Sequence, residues 1–375
     1  MVNPSAQLLH EELPQARAWG APVRLAPVSA EPRTTLLPRA RLWDVLRGKS
    51  PFVGSRLEES LPRGFLSPVE ARVQLGIEYM DAVKAEREWL AKPGGKAGVA
   101  LRALIASVLS SGKPARVERR PFIVSSRVDA ITIAEATEAI LTPGRNRAKL
   151  VLFAHPHALN LAYFDPALAK QLERADLVLP DGVGLRIAAQ LLGLSLPHNV
   201  NGTDMLPLLC AGAADRKLPV VLIGGKPGVA EACAERLRAN FPGLEIPIVS
   251  DGYLGHRESE LLSARVRRLR GALVLVGMGT PIQEAWVWNH LADLPNTTAV
   301  TVGGLFDFFA GRVERAPLAW REMGLEWLFR LLKEPRRMAR RYLIGNPLFL
   351  ALAMMQRMRT RSGASEQTPT VSERA

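Results

Sequence analysis

The chain has 375 residues, of which 47% are hydrophobic and 23% charged, a composition that excludes wholesale disorder and is ample for a large core. Its two cysteines, Cys210 and Cys233, are too few for a disulfide framework or a four-ligand zinc site. The net charge of +13 indicates an anionic partner, which could be nucleic acid, an acidic lipid surface or a phosphate-bearing substrate. The longest apolar run, Leu348–Met355, is far shorter than the roughly 20 residues that span a bilayer, so we expect a soluble or peripheral protein.

Residues 1–117 form the first predicted division, an N-terminal extension that is partly disordered and contains helices. Its first forty residues carry six prolines and little periodicity. A helix is expected to start at Ser67, because proline follows this cap and Glu70 completes a capping box. A second helical segment is predicted over Gly98–Leu109.

Residues 118–315 show the alternation of an α/β domain, with apolar runs that are typical of buried parallel strands. We predict a Rossmann-like, mostly parallel sheet flanked by helices. The predicted strands are Lys149–Phe153, Leu177–Leu179, Pro219–Ile223, Ala272–Val276 and Thr298–Val302. The predicted helices are Ala158–Arg174, Gly184–Leu192, Val229–Asn240, Ser259–Arg268 and Pro281–His290.

Residues 316–361 are predicted to be a basic amphipathic helical appendage. From Arg315 to Arg361 there are eleven basic residues and three acids, so this stretch carries +8 of the net charge of +13. Aromatic and aliphatic residues alternate with the arginines at helical spacing, with breaks expected at Pro335 and at Gly345–Pro347. We expect this segment to be dispensable for folding of the α/β core, and residues 362–375 to be a disordered tail.

The segment Ala175–Gly184 contains the first candidate site. It reads as a buried strand, then Pro-Asp-Gly, then a helix, which places Asp181 at the carboxyl end of a parallel strand. Ligands bind at that end in open α/β sheets, and a carboxylate there can act as a general base toward a hydroxyl. The alternative is an aspartate that merely caps the following helix.

Two glycine-rich turns follow later strands. Gly224-Gly225-Lys226-Pro227-Gly228 could bring backbone amides to a phosphate at a helix N-terminus, or could be a plain strand-to-helix turn. In Gly277–Glu284 the glycine spacing is an incomplete dinucleotide fingerprint, since Ile282 stands where a third small residue is needed. Gln283 and Glu284 would lie in the first turn of the next helix, facing the same sheet edge as Asp181, or would only start that helix.

The chain contains no Asp-x-Asp, the carboxylate pair that usually holds a metal and sugar-nucleotide complex. His155-Pro156-His157 is too short and too poor in partners for a metal site, and His157 is better suited to hydrogen bonding. We therefore predict no metal site and no cofactor.

Together, and in this order, these segments resemble the WecG/TagA/CpsF family of bacterial glycosyltransferases from about Ile131 to Leu343. The motifs that carry the resemblance are Asn160, Ala175–Gly184, Asn201-Gly202-Thr203-Asp204, Ile223–Gly228, Gly277–Glu284, Gly303–Asp307, Gly311, Arg315-Ala316-Pro317 and Gly324–Arg330. The likeness is strongest to the GumM-like branch, in Phe153–Ala162 and Asn199–Asp204. Three positions depart from the family pattern: His155, Asn199 and Ile282.

This resemblance implies an inverting, metal-independent transfer of a sugar, of glucose or N-acetylmannosamine type, from a UDP-sugar donor to a sugar on a polyprenyl-pyrophosphate acceptor. It implies Asp181 as the catalytic base. The residues implied to bind the donor are Gly224, Gly225, Lys226, Gly279, Gln283 and Glu284. Those implied to bind the acceptor are His157, Asn160, Asn201, Thr203, Asp204, Arg330, Arg337 and Arg340. The three arginines would share one helix face if the helix continues through Pro335.

The implied setting is exopolysaccharide or other cell-surface polysaccharide synthesis, with the protein cytoplasmic and peripheral on the inner membrane surface. A homo-oligomer is compatible with this assignment. Two other function classes stay open on the residues alone, a basic nucleic-acid-binding protein and an NAD-dependent oxidoreductase. No RNA- or DNA-binding module signature is present and the glycine fingerprint is incomplete, so we expect neither nucleic acid nor NAD as a partner.

The N-terminal extension carries a second resemblance. Leu42–Arg56 and Gly64–Leu109 look like the C-terminal part of a bacterial phosphoglycosyl transferase. The membrane helix and catalytic dyad of that family are absent from this sequence. We therefore interpret the segment as a remnant without that activity, which is either an inert extension or a segment with an association role.

Overall fold

A computed structural model describes residues 44–55, 62, 64, 65, 67, 90, 118–196, 199–316, 320 and 324–361. The chain divides into two compact units. Unit 1 comprises residues 1–21, 117–315 and 335–375, and unit 2 comprises residues 22–116 and 316–334. The predicted appendage, residues 316–361, is thus shared between the two units. Most of the N-terminal extension and the whole predicted tail lie outside the described residues.

Unit 1 contains a parallel sheet of six strands, which confirms the predicted fold class. A short antiparallel hairpin, β1 and β2, precedes it along the chain. The strands are β1 Phe122–Ile123, β2 Ser126–Arg127, β3 Lys149–Ala154, β4 Leu177–Pro180, β5 Val220–Gly224, β6 Ile248–Ser250, β7 Ala272–Gly277 and β8 Thr297–Thr301. The order across the sheet is β4-β3-β8-β7-β5-β6. Because helices cover both faces, the inner strands are continuous runs of buried aliphatic residues.

Helices connect the strands. They are α1 Ile133–Leu141, α2 Pro156–Phe164, α3 Pro166–Arg174, α4 Val183–Leu192, α5 Gly202–Asp215, α6 Val229–Asn240, α7 His256–Arg268, α8 Ile282–His290 and α9 Leu305–Phe309. The predicted helix Ala158–Arg174 is in fact two, because Asp165 ends α2 and then caps α3 ahead of Pro166. The sequence analysis did not predict the helices α1, α5 and α9, the strand β6 or the hairpin of β1 and β2. In α5, Pro207 and Gly212 obscure the helical pattern.

The core lies in layers on the two faces of the sheet, since successive strand residues point to opposite sides. Leu222 packs into the cluster on one face, with α1, α5 and α6, while Ile223 packs on the other face with α7 and α8. A further cluster lies under β3 and β4, where α2, α3 and α4 pack. The sheet is therefore a rigid platform whose strand ends can hold side chains in defined places.

The last described helix, α12 Gly345–Arg361, belongs to this core. Phe349 is fully buried and packs in the cluster that contains Leu159 and Leu185. The Gln356 side chain also accepts from the Val124 backbone N–H at 2.8 Å and donates to the Phe122 carbonyl at 3.0 Å. This corrects the expectation that the whole segment is dispensable for folding, because removing α12 would expose apolar surface of unit 1.

The chain before α12 contains α10 Glu326–Lys333, α11 Pro335–Ala339 and a π-helical turn, Arg340–Ile344. The break predicted at Pro335 is present, because α10 ends at Lys333. At Gly345–Pro347 the chain stays helical instead of breaking. In an α-helix, proline lacks the N–H that would bond the carbonyl four residues earlier, and its ring clashes with that carbonyl. For Pro347 that carbonyl belongs to Leu343, in the wider π-helical turn directly before α12, which relieves the clash.

In unit 2, the side chains of Val53 and Phe65 are buried, and the Phe52 and Phe65 rings lie 5.6 Å apart. Trp320 and Phe329 form an edge-to-face pair at 5.8 Å. Within the ranges that the structure describes, no helix is both long and apolar enough to cross a bilayer.

Candidate functional site

The predicted site residues of unit 1 gather at one edge of the sheet, where the parallel strands end. Across that edge, in spatial order, the strands lead into Asp181 after β4, His155 after β3, Gly303 after β8, Gly279 after β7 and Gly225 after β5. Loops at this edge of a parallel sheet form the ligand crevice of open α/β folds. The edge is the candidate site.

Asp181 follows the last residue of β4, as predicted. Its backbone N–H donates to the Ala154 carbonyl at 2.8 Å, which continues the pairing of β4 with β3. Gly182 has φ 93°, a conformation that favours glycine, and its N–H donates to the Asn199 Oδ1 at 2.7 Å. Asn199, one of the departures from the family pattern, thus holds the turn that presents Asp181.

His155 and His157 lie at the start of α2, next to Asp181 on the neighbouring strand. His155 caps the helix, with its Nδ1 accepting from the Ala158 N–H at 3.0 Å, and its ring is parallel to that of His157. The Arg341 guanidinium lies 3.4 Å from the same Nδ1. Burial, and secondarily the charge of Arg341, lower the pKa of His157 to about 4, so His157 is neutral at physiological pH.

Asn160 joins α2 to the start of α12. Its Nδ2 donates to the Gly345 carbonyl at 2.7 Å, while its Oδ1 is buried and has no hydrogen-bond partner among the described residues. The residue is only 6% exposed. Asn160 therefore holds the C-terminal helix against the site.

The segment Asn201–Asp204 starts α5. The Asn201 Oδ1 accepts from the Asp204 N–H at 2.9 Å, and its Nδ2 donates to the Asp204 Oδ2 at 2.7 Å. The other carboxylate oxygen, Oδ1, pairs with the Arg315 Nη2 at 2.6 Å in a largely buried ion pair. Thr203, in the first turn, is half-buried. Both oxygens of Asp204 thus have partners that fix the start of α5.

The turn Gly224–Gly228 connects β5 to α6. Gly224 lies opposite Gly277 in the sheet, and a Cβ on Gly224 would approach the Gly277 carbonyl oxygen to 2.3 Å. The Gly225 N–H donates to that same oxygen at 2.9 Å, so this amide is already used. Lys226 is exposed, and the Arg312 Nη2 lies 3.4 Å from where a Cβ on Gly228 would be. Two cations therefore flank this turn.

Gln283 and Glu284 lie in the first turn of α8, as predicted, but are almost wholly buried, at 3% and 2% exposure. The Gln283 Oε1 accepts from the N–H groups of Gly279 at 3.2 Å and Gly303 at 2.9 Å. Its Nε2 donates to the Glu284 Oε1 at 2.8 Å. The pair links the turns that follow β7 and β8.

The three arginines predicted for the acceptor do not share one helix face, because the helix ends before Pro335. Arg330 is on α10, in unit 2. Arg337 and Arg340 belong to unit 1, and both are exposed. A Cβ built on Gly304 would lie 3.9 Å from the Arg337 Nη2 and 3.6 Å from the Asp307 Oδ2, so both side chains lie near Gly304. Arg337 is thus near the strand edge, beside the turn that follows β8.

The edge offers different chemistry at its two ends. Asp181 and the Gly224–Gly228 turn are separated by four strand spacings, about 19 Å at roughly 4.8 Å each. A carboxylate with neutral imidazole and guanidinium neighbours lies at one end, and a turn flanked by cations at the other. Within the described ranges, no group of three or more His, Cys, Asp or Glu side chains could hold a metal ion.

The sequence analysis missed Arg312 and Arg341 here, and it noted Asn199 only as a departure from the family pattern, without a structural role. Arg341 is adjacent in sequence to the predicted Arg340, and the π-helical turn decides which of the two lies beside α2. Arg312 is far along the chain from the turn it flanks. A helical-wheel prediction that included the π-helical turn would have been needed to place Arg341, rather than Arg340, beside α2.

Comparison with known proteins places the chain in a family and identifies individual relatives. The sequence profile of the Glycosyl transferase WecG/TagA/CpsF family matches residues 122–363. A relative from Bacillus spizizenii, named N-acetylglucosaminyldiphosphoundecaprenol N-acetyl-beta-D-mannosaminyltransferase, is 32% identical over 196 residues. Those residues are 52% of this chain and 76% of the relative.

Proposed function

The chain belongs to the Glycosyl transferase WecG/TagA/CpsF family and is a glycosyltransferase, and we propose that it moves a sugar from a UDP-sugar to a polyprenyl-diphosphate-linked sugar with inversion. The observation that carries this proposal is the placement of Asp181 and the glycine turns along one strand edge of a glycosyltransferase fold. The family assignment favours this activity over nucleic-acid binding and over NAD-dependent redox chemistry.

The acceptor is proposed to enter at the β3 and β4 end of the edge. The name of the Bacillus spizizenii relative specifies transfer of N-acetylmannosamine to an N-acetylglucosaminyl-diphospho-lipid, which favours the N-acetylmannosamine type of donor here over glucose. Neutral His157 and the hydroxyl of Thr203 are suited to hydrogen bonds with acceptor hydroxyls. Asn160, Asn201 and Asp204 act by holding α12 and α5 in place around that end.

Asp181 is proposed as the general base. The acceptor hydroxyl gives its proton to the Asp181 carboxylate as its oxygen bonds to the anomeric carbon. The bond from that carbon to the UDP oxygen breaks at the same time, and UDP leaves with the bonding electrons. Attack opposite the leaving group inverts the anomeric centre, and a single base is sufficient for this step.

The donor is proposed to lie along the edge, with its nucleoside over Gly224 and Gly225 at the far end and its diphosphate near Gly279, toward the middle of the edge. Lys226 and Arg312 supply positive charge to the end of the nucleotide that binds over the Gly224–Gly228 turn. The anomeric carbon, which is bonded directly to the diphosphate, then points toward Asp181, and the nucleotide extends over the roughly 19 Å between the two ends.

The surface around the π-helical turn is proposed to contact the inner face of the membrane, where the lipid acceptor lies. Leu343 and Ile344 are 59% and 64% exposed, and Leu348 is 38% exposed. Arg340 and Arg341 lie in the same turn, and basic residues near an anionic leaflet contribute about 1 kcal/mol each. Apolar tips flanked by arginines are suited to peripheral attachment. Exopolysaccharide synthesis is the proposed setting.

The proposal is tested with purified enzyme, a panel of UDP-sugars and a short-chain lipid-diphosphate acceptor. Asp181→Asn should abolish transfer while UDP binding and Tm stay near the wild-type values, because only the proton acceptor is lost. Near-normal turnover of this variant would exclude Asp181 as the base. Turnover should also persist in EDTA, and a loss that manganese or magnesium restores would contradict the metal-independent mechanism.

A further inference from the structure

The hydrogen bonds of Gln283 suggest a role different from donor contact. Its Oε1 accepts two backbone N–H groups, from Gly279 in the turn after β7 and from Gly303 in the turn after β8. Its Nε2 donates to the Glu284 Oε1 and, at 3.4 Å, lies near the Thr280 Oγ1. An amide side chain has two donor hydrogens and two acceptor lone pairs, so these four contacts use its whole capacity.

Glu284 fixes which way the Gln283 amide faces. Its Oε1 accepts from the Gln283 Nε2 at 2.8 Å and from the Thr280 hydroxyl at 3.0 Å, so the Gln283 oxygen must turn toward the two glycine amides. The Glu284 Oε2 is buried and has no partner within the described ranges. Burial raises the pKa of Glu284, although hydrogen bonds from Gln283 and Thr280 oppose this. Such a costly arrangement indicates a specific task for the pair.

Burial argues against direct contact between Gln283 and a ligand, since only 3% of the residue is exposed. The two glycines that it holds have φ of 84° and 56°, conformations that glycine adopts freely and that a flexible chain would not keep without support. Their turns lie in the middle of the strand edge, between the proposed base and the cation-flanked turn.

We propose that Gln283 and Glu284 are positioning residues, a clamp that holds the Gly279 and Gly303 turns in the shape that receives the donor. The proposal rests on the donor site described under Proposed function. It replaces direct donor contact as the role of this pair, which acts on the donor only through the shape of the two turns.

An exchange of the two side chains tests the clamp. Gln283→Glu replaces the amide that donates to Glu284 with a second carboxylate, and the loss of this buried hydrogen bond should raise the donor KM about tenfold. In the double variant Gln283→Glu/Glu284→Gln, the new glutamine can donate to the new glutamate, which still accepts from both glycines. The donor KM should then return to within about threefold of the wild-type value. If Gln283 instead touched the donor through its Nε2, the exchange would give no recovery, and that result would overturn the proposal.

Two further measurements keep the test decisive. Amide hydrogen exchange at Gly279 and Gly303 should accelerate in Gln283→Glu and slow again in the double variant, whether or not a substrate is known. If Gln283→Glu does not fold, Glu284→Ala replaces it, and an unchanged donor KM there would contradict the clamp. The control for a general loss of stability is Val266→Ala, a substitution on the buried face of α7. This variant should have a lowered Tm and a normal donor KM. If the wild-type enzyme turned over no UDP-sugar, the proposed function would be wrong. The amide hydrogen-exchange rates at Gly279 and Gly303 would still test the clamp separately.

Discussion

Phe349→Ala tests whether α12 is a core element or a detachable appendage. Phe349 is 0% exposed and packs with side chains of α2 and α4. Replacing a fully buried phenylalanine with alanine loses the transfer free energy of the ring and leaves a cavity, at a cost of about 3–5 kcal/mol. For a unit of this size, that corresponds to a fall in Tm of about 6–20 °C.

The neighbouring residue supplies the matched control. Leu348 is 38% exposed, so Leu348→Ala should change the free energy of unfolding by less than about 1 kcal/mol. Urea titration followed by circular dichroism measures both variants. Cosedimentation with anionic vesicles should show the opposite order, with Leu348→Ala weakening binding and folded Phe349→Ala retaining it. A cost below about 1 kcal/mol for Phe349→Ala would refute the assignment of α12 to the core.

Two further predictions concern the acceptor end of the edge. Arg315→Ala removes the ion pair of Arg315 with the largely buried Asp204 carboxylate and should lower the free energy of unfolding by about 3 kcal/mol in a urea titration. The exposed Arg312→Ala is the control, and equally small effects of the two variants would contradict a structural ion pair. The pKa of His157 is about 4 in the folded chain and 6.5 in a free side chain, so the unfolded chain binds more protons between these values and stability is lost as pH falls through that window. His157→Gln should therefore show a smaller fall in Tm between pH 6.5 and 4 than the wild type, and identical pH profiles would show that His157 does not titrate in this way.

The sequence alone determined five of the six strands of the sheet and the position of the candidate site residues at strand ends. Strand runs such as Ala272–Val276 are apolar throughout because both faces of the sheet are covered, and most of them end at a glycine or polar turn. That local pattern was sufficient to place Asp181 and the glycine turns at the carboxyl ends of strands. Parallel topology then brings those ends to one edge, and the structure confirms it.

Only the tertiary structure decided what individual side chains do there. Gln283 and Glu284 follow a strand in the expected place, yet their partners include Gly303, twenty residues further along the chain. Likewise, the apolar and basic pattern of Gly345–Arg361 is equally compatible with a membrane helix face and with a core helix. Burial of Phe349 against α2 and α4 is a long-range contact, and a local pattern carries no information about which distant surface will cover it. Hydrophobic periodicity determines that a face is buried, whereas the packing of the whole unit determines what buries it.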